Sequence, residues 1–125
     1  MAVLLVAVGP LAACSTSSST HGEAATSTTG GCRSVAQGRV TVTAKDLAWD
    51  TPCILAKVGT EVIIKVVNDD TGVNHDFHLK DAPGNPSTPL SKGPSSHQLE
   101  VALAQGTYHY VCDVHPAMVG ELRVG

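Results

Sequence analysis

A short segment near the C-terminus, from Cys112 to Met118, carries three side chains that bind soft metal ions. The thiol of Cys112, the imidazole of His115 and the thioether of Met118 follow one another at the spacing Cys-x2-His-x2-Met. Thiolate and thioether sulfur favour Cu(I), and imidazole binds both oxidation states of copper. One further histidine would complete a trigonal His2Cys site with a weak axial methionine, the ligand set of copper centres that transfer electrons.

The additional histidine is predicted from side-chain alternation along a strand, which the sequence pattern indicates for residues 73–79. His75 shares one face of this strand with the apolar Phe77 and Leu79. His78 falls on the opposite face together with the polar Asp76. The alternation therefore predicts that His75 points into the core and that His78 points outward.

The same alternation, applied to the strand that precedes the ligand segment, predicts that Cys112 points into the core. Cys112 shares a face with Tyr110, whereas His109 lies on the other face. Taken singly, a buried Cys or Met is more often a core residue than a ligand. Their joint spacing and the inward histidine favour one metal site, formed by His75, Cys112, His115 and Met118.

Zinc is the nearest rival metal, but its sites usually carry more Cys or His ligands and methionine is a poor one. The Cys-x-x-Cys-His motif of a c-type haem is absent.

The scaffold that must position these ligands is predicted to be all-β, a two-sheet Greek-key sandwich over residues 32–125. Apolar residues alternate with a period of two, and turn signals that contain glycine separate the short runs. The stretch 81–94 is rich in proline, glycine and serine and is predicted to be a loop. The predicted strands are 39–43, 61–67, 73–79, 98–103, 107–112 and 120–124.

The first residues are typical of a targeting segment. A short apolar run leads to Leu11-Ala12-Ala13-Cys14, which looks like a bacterial lipobox with Cys14 as the lipidated residue. No Lys or Arg precedes the apolar run, and an ordinary secretory signal with an incidental Cys14 is the alternative. We expect a signal at 1–13, a flexible Ser/Thr-rich tether at 14–31, and a domain outside the cytoplasm, held at the membrane only by a lipid anchor.

The ligand segment Cys112-x2-His115-Pro116-x-Met118 resembles that of the cupredoxins, the small blue copper proteins, and most of all their short-loop, amicyanin-like and plastocyanin-like members. Two further stretches support the resemblance, which spans about Val40 to Gly125: Gly106-Thr107-Tyr108-x-Tyr110 and Val119-Gly120-Glu121-Leu122-x-Val124. It implies one type 1 copper ion and a single-electron carrier that is not an enzyme. It also implies that His115 is the ligand at the solvent edge, where redox proteins would dock transiently.

Two residues beside the predicted ligands depart from the family pattern. Asp76 stands where an asparagine that ties the ligand loops together is usual, and Asp113 stands where a small polar residue is usual. A carboxylate beside the site favours Cu(II) and so lowers the reduction potential. The resemblance therefore predicts the metal and leaves the potential open.

The remaining cysteines give a conditional prediction. If Cys112 binds copper, then Cys32 and Cys53 form the available pair, and a disulfide between them suits an extracytoplasmic protein. The competing Cys53–Cys112 bridge would destroy the copper site, and the sequence leaves it open.

Other functions are less consistent with the composition. A copper carrier, store or sensor usually exposes many Met or His residues, whereas this sequence has two methionines. An enzyme with several coppers would need further histidine clusters, and no His-x-His pair occurs. The net charge of −3 and the lack of a basic run argue against nucleic acid. A metal-free sandwich acting as an interaction module is the remaining alternative.

Overall fold

A computed structural model describes residues 31–125 together with the backbone of Thr28 and Thr29. The predicted signal segment 1–13, the lipidation site Cys14 and most of the predicted tether lie outside the described residues. Within the described part of the chain, no helix has the length and apolar character needed to cross a membrane.

The described chain forms strands joined by turns and loops. In chain order these are β1 (Thr28–Thr29), β2 (Cys32–Ser34), β3 (Arg39–Lys45), β4 (Ala48–Trp49), β5 (Cys53–Ala56), β6 (Glu61–Asn68), β7 (Asn74–His75), β8 (His78–Leu79), β9 (Ser91–Lys92), β10 (Ser95–Ala102), β11 (Gly106–Cys112) and β12 (His115–Val124).

Two main sheets face each other. One has the order β1-β2-β5-β12-β11-β8 and the other the order β10-β6-β3-β4, while β7 and β9 form a separate small pair. The β2–β5, β5–β12 and β3–β6 pairings are parallel, and the other pairings are antiparallel. The predicted all-β sandwich is confirmed.

Alternating apolar residues build the core because successive side chains of a strand face opposite ways. Burial alternates along most of β3 and β6, and Val42 and Ile64 are fully buried between the sheets. Three aromatic rings pack at the centre, with Phe77 stacked on Tyr110 at 4.8 Å and Trp49 edge-on to Phe77 at 5.6 Å. Aliphatic residues form most of the remaining core, as the scarcity of aromatic residues predicts.

The single strand predicted for 73–79 is wrong, because the structure has two short strands there. β7 pairs with β9, whereas β8 pairs with β11 in the larger sheet. Between them, the amide of Phe77 donates to Thr88 Oγ1 at 2.9 Å, and the carbonyl of Phe77 accepts from the amide of Thr88 at 3.0 Å. A residue of the 81–94 loop thus supplies the bonds that a neighbouring strand would otherwise provide.

The loop predicted around the last two ligands is instead a tight hairpin. Only Asp113 and Val114 lie between β11 and β12, and Cys112 pairs directly with His115 after a register shift at Val111. β12 therefore begins at His115, and Met118 lies on a strand.

A disulfide joins Cys32 to Cys53, which are direct partners in the parallel pairing of β2 with β5. It fastens β2 to the larger sheet. β1 pairs with β2 in turn, so the strand pairing reaches back to Thr28 and Thr29, within the stretch predicted as a tether.

Candidate metal centre

Two imidazoles converge on one buried sulfur. The Nδ1 atoms of His75 and His115 each lie 3.6 Å from Cys112 Sγ, and the ring centroids are 4.7 Å apart. Cys112 and His75 are buried, whereas His115 is partly exposed. The structure thus brings together, on one side of the sulfur, two histidines that are 40 positions apart in the sequence.

The spacing of these atoms fits a bound metal ion. An ion bonded to nitrogen at about 2.0 Å and to sulfur at about 2.3 Å, with bonds about 120° apart, holds the two ligand atoms roughly 3.7 Å apart. The observed separations of 3.6 Å agree with this value. The donor set of two imidazoles and one thiol is one that copper prefers.

Met118 lies in the same buried cluster as Cys112. It is 2% exposed and packs with Cys112 and Ala44 in a small buried cluster that is separate from the main core and also touches Trp49. Because Met118 belongs to the cluster of the predicted thiolate ligand, it stays the candidate for the weak fourth ligand.

The environment of Cys112 controls its proton. Burial raises the pKa of the thiol above its ordinary value, and backbone hydrogen bonds near Asp76 and Val114 offset only part of that rise. A metal that binds here must displace the thiol proton, since the thiolate is the ligand form.

His75 is held from behind by a carboxylate that the sequence did not indicate as part of the site. Its Nε2 lies 2.7 Å from Asp70 Oδ2. Burial acts to raise the pKa of Asp70, but hydrogen bonds from the Leu47 amide, from His75 and from the Asp46 amide together lower it below its ordinary value. The turn composition of 68–72 predicts a bend there but gives no sign that Asp70 reaches a ligand.

The loop that carries His75 is packed tightly. Buried Asn68 donates to the carbonyl oxygens of Val73 at 2.8 Å and Ser91 at 2.9 Å, and it accepts from the amide of Asp70 at 3.0 Å. A side chain at Gly93 would overlap the carbonyl oxygen of Asp70. The backbone before His75 therefore has little freedom to move.

Asp76 ties the two ligand segments together. It is 6% exposed, and its Oδ1 accepts a hydrogen bond of 2.7 Å from the amide of Asp113. Strand alternation placed Asp76 on the outward face with His78, but the chain leaves the strand conformation between β7 and β8, and the side chain turns toward the hairpin. In the family pattern an asparagine at this position ties the ligand loops together. Here the carboxylate of Asp76 ties them by accepting a hydrogen bond.

Asp113 belongs to an outer polar group beside the hairpin turn. Its carboxylate bonds Lys80 Nζ at 2.8 Å and His78 Nδ1 at 2.8 Å. The Lys80 hydrogen bond, followed by that of His78, lowers the pKa of Asp113 to about 2. His78 lies apart from the convergent imidazoles, and it braces the hairpin through Asp113.

The outer edge of the site is apolar. Val114 and Val119 are 46% and 50% exposed, and Pro116 and Ala117 are exposed beside the partly exposed His115. This surface surrounds the ligand nearest to solvent.

Residues 4–124 match the family model of the cupredoxin-like domain. The chain belongs to the cupredoxin-like family. Solved structures of amicyanin are similar to this cupredoxin. A reduced tryptophan-to-tyrosine mutant of amicyanin is 28% identical, with a TM-score of 0.57 over 73% of this chain and 86% of that chain. A methionine-to-glutamine mutant of amicyanin in its Cu(I) form is 26% identical, with a TM-score of 0.58 and the same coverage.

No curated protein matches this cupredoxin in sequence. The resemblance predicted from the ligand segment is nevertheless confirmed by the family match and by the amicyanin structures. Together they support copper binding and copper-based electron transfer in general terms.

Proposed function

We propose that this cupredoxin is a type 1 copper protein that carries single electrons outside the cytoplasm. The observation that carries the proposal is the convergence of two histidine Nδ1 atoms, each 3.6 Å from the buried sulfur of Cys112, with Met118 in the same buried cluster as Cys112. His75, Cys112, His115 and Met118 would hold the copper ion, with the Met118 thioether as the weakest of the four ligands. Copper would supply the one-electron exchange between Cu(II) and Cu(I).

The protein's own part is to hold the ligands still. Cys112 and His115 are direct partners in a hairpin, and Asp76 bonds that hairpin to the segment after His75. Ligands that are already in place change little when the charge of the ion changes, so electron exchange needs little rearrangement. These restraints favour a carrier of electrons over a carrier of exchangeable copper.

Partners would approach at the apolar surface around His115. This ligand is the partly exposed one of the two histidines, and exposed apolar residues adjoin it in the sequence on both sides. A short-lived redox complex needs only a small interface, which suits a patch of this kind. The proposal assigns electron transfer to transient protein partners, with no substrate turnover by the protein itself.

The proposed location rests on two features. The N-terminal sequence is typical of a bacterial lipoprotein signal with Cys14 as the anchored residue. The Cys32–Cys53 disulfide is typical of oxidising compartments. Both support a domain that acts in the periplasm or on the outer face of the cell membrane, tethered through its N-terminal segment.

The test is the absorption spectrum of the copper-loaded, oxidised protein. We expect an intense thiolate-to-copper band at about 600 nm, which is lost in Cys112→Ser. His75→Ala should abolish or shift the band, whereas His78→Ala, a histidine three positions away that is not a proposed ligand, should leave it.

A colourless Cu(II) protein, or an unchanged band in Cys112→Ser, would refute the type 1 site. Slow electron exchange combined with rapid loss of copper to a chelator would instead indicate a copper carrier.

A further inference from the structure

We propose that Asp70 is a positioning residue for the copper ligand His75, fixing which nitrogen faces the metal and lowering the reduction potential of the site. The inference rests on the proposed copper function. It concerns a residue that does not itself contact the proposed metal position.

The two nitrogens of His75 have different partners. Nδ1 faces Cys112 Sγ at 3.6 Å, and Nε2 lies 2.7 Å from Asp70 Oδ2. The side chains of His75 and Asp70 are 1% and 10% exposed, so water cannot easily replace either partner. Because a carboxylate accepts hydrogen bonds, Nε2 carries the proton and Nδ1 keeps the lone pair that a metal needs.

Asp70 is itself fixed by backbone amides of the β3–β4 turn. Its Oδ1 accepts from the amide of Asp46 at 2.6 Å, and its Oδ2 accepts from the amide of Leu47 at 3.0 Å. Both turn residues have left-handed φ angles, of 52° and 59°, which point consecutive amides toward the carboxylate. The imidazole is thus oriented by a group that is anchored on a different sheet.

This contact has an electrostatic consequence. A carboxylate that is hydrogen-bonded to the outer nitrogen makes the imidazole a stronger electron-pair donor to the metal and stabilises Cu(II) more than Cu(I). The carboxylate also prevents the ring from turning away from the sulfur. Both effects depend on the direct bond between Asp70 and Nε2. The preceding carboxylate, Asp69, makes no such bond, because it is half-exposed and pairs with Lys45.

The experiment compares Asp70→Asn with Asp69→Asn, which removes the same charge from the neighbouring position. In Asp70→Asn the amide nitrogen either faces the Asp46 amide, where one bond is lost, or faces the Leu47 amide and the His75 Nε2 proton, where two bonds are lost. We expect copper affinity to fall by about 10- to 100-fold and the reduction potential to rise. Asp69→Asn should match the unmodified protein in both measurements.

A second measurement does not depend on the variant folding. Nitrogen-15 NMR of the metal-free and Cu(I) forms of the unmodified protein should show His75 protonated at Nε2, with a slowly exchanging proton. A His75 protonated at Nδ1 in the metal-free form, or equal potentials and affinities for Asp70→Asn and the unmodified protein, would overturn the inference. If either of these results is found while the blue band is intact, the role of Asp70 is refuted and the proposed function stands. If the blue band is absent, the proposed function is refuted, and the NMR measurement of the His75 proton still tests the contact with Asp70.

Discussion

At the scale of single residues, carboxylates surround the proposed copper ligands. Asp70 lies behind His75, and Asp76 follows it in the chain and bonds the amide of Asp113. Negative charge close to a metal favours its higher oxidation state, as stated for His75 above. We therefore expect the reduction potential of this cupredoxin to respond strongly to neutral substitutions in this group.

Asp76→Asn is the sharpest such substitution. Asparagine keeps an oxygen that can accept the 2.7 Å bond from the Asp113 amide, so the hairpin should stay tied while the charge disappears. We expect the blue band to persist and the reduction potential, measured by voltammetry, to rise. Asp81→Asn provides the control, because Asp81 is an exposed carboxylate that bonds His109. An unchanged or lowered potential in Asp76→Asn would contradict the electrostatic argument.

Much of the site was predictable from residue types and spacing. The convergence of His75, Cys112 and His115 follows from strand alternation and from the short spacing of the ligand segment, although their role as ligands stays a prediction. The burial of Asp76 was not predictable, because alternation fails where the chain leaves the strand. The role of Asp70 could not be predicted either, since it depends on amides 23 and 24 positions away.

At the scale of elements, the β11–β12 hairpin carries three of the four proposed ligands, so its packing controls the site. Tyr110 lies opposite Gly120 in this hairpin and donates a 2.8 Å hydrogen bond to the carbonyl of Thr51. A side chain at Gly120 would overlap the tyrosine ring. The glycine is therefore required for the close approach of an aromatic ring and not for a special backbone angle.

Gly120→Ala should lower the free energy of unfolding by about 1–3 kcal/mol, the usual cost of overpacking a core. The displaced Tyr110 ring also touches the aromatic cluster with Trp49 and Phe77, so tryptophan fluorescence should change. Urea denaturation gives the free energy, and Gly125→Ala is the control because open space surrounds that position. Equal stability of the two variants would show that the ring moves aside at no cost.

Most long strands were predictable and short ones were not, although β12 was predicted only from residue 120 and in fact begins at His115. Alternation identified β3, β6 and β11 with small errors at their ends, because each buries a full face against the opposite sheet. β5 was missed because it pairs in parallel with β2 and β12, and β12 lies far along the chain. The split between β7 and β8 depends on Thr88, a loop residue whose contact with Phe77 no local pattern reveals.

At the scale of the whole molecule, the fold brings the Nδ1 atoms of His75 and His115 to the sulfur of Cys112 from distant parts of the chain. Because these ligands are brought together only in the folded protein, copper should stabilise the folded form by mass action. The predicted sandwich is confirmed as the scaffold for this arrangement, because its fold class follows from strand alternation over the whole domain. The signal, the tether and the lipidation of Cys14 stay predictions, since they lie outside the described residues.

Calorimetry of the metal-free and copper-loaded protein tests this stabilisation. Free copper at 1,000 times its Kd should stabilise the folded protein by up to about 4 kcal/mol and raise Tm accordingly. Cys112→Ser, which lacks the central sulfur, should show a much smaller rise. Equal Tm values with and without copper in the unmodified protein would indicate that the ion does not bind the folded site.

The hairpin ligands have a further consequence for the fate of the metal during unfolding. Cys112, His115 and Met118 lie within seven consecutive residues, whereas His75 is 37 positions from Cys112. An unfolded chain can keep three donors close to one another by local contacts alone, so copper should also bind the unfolded chain, though more weakly than the folded protein, and this binding reduces the stabilisation below the limit given above. On refolding, the capture of His75 by an ion held at these three residues would close the long loop between β7 and β11.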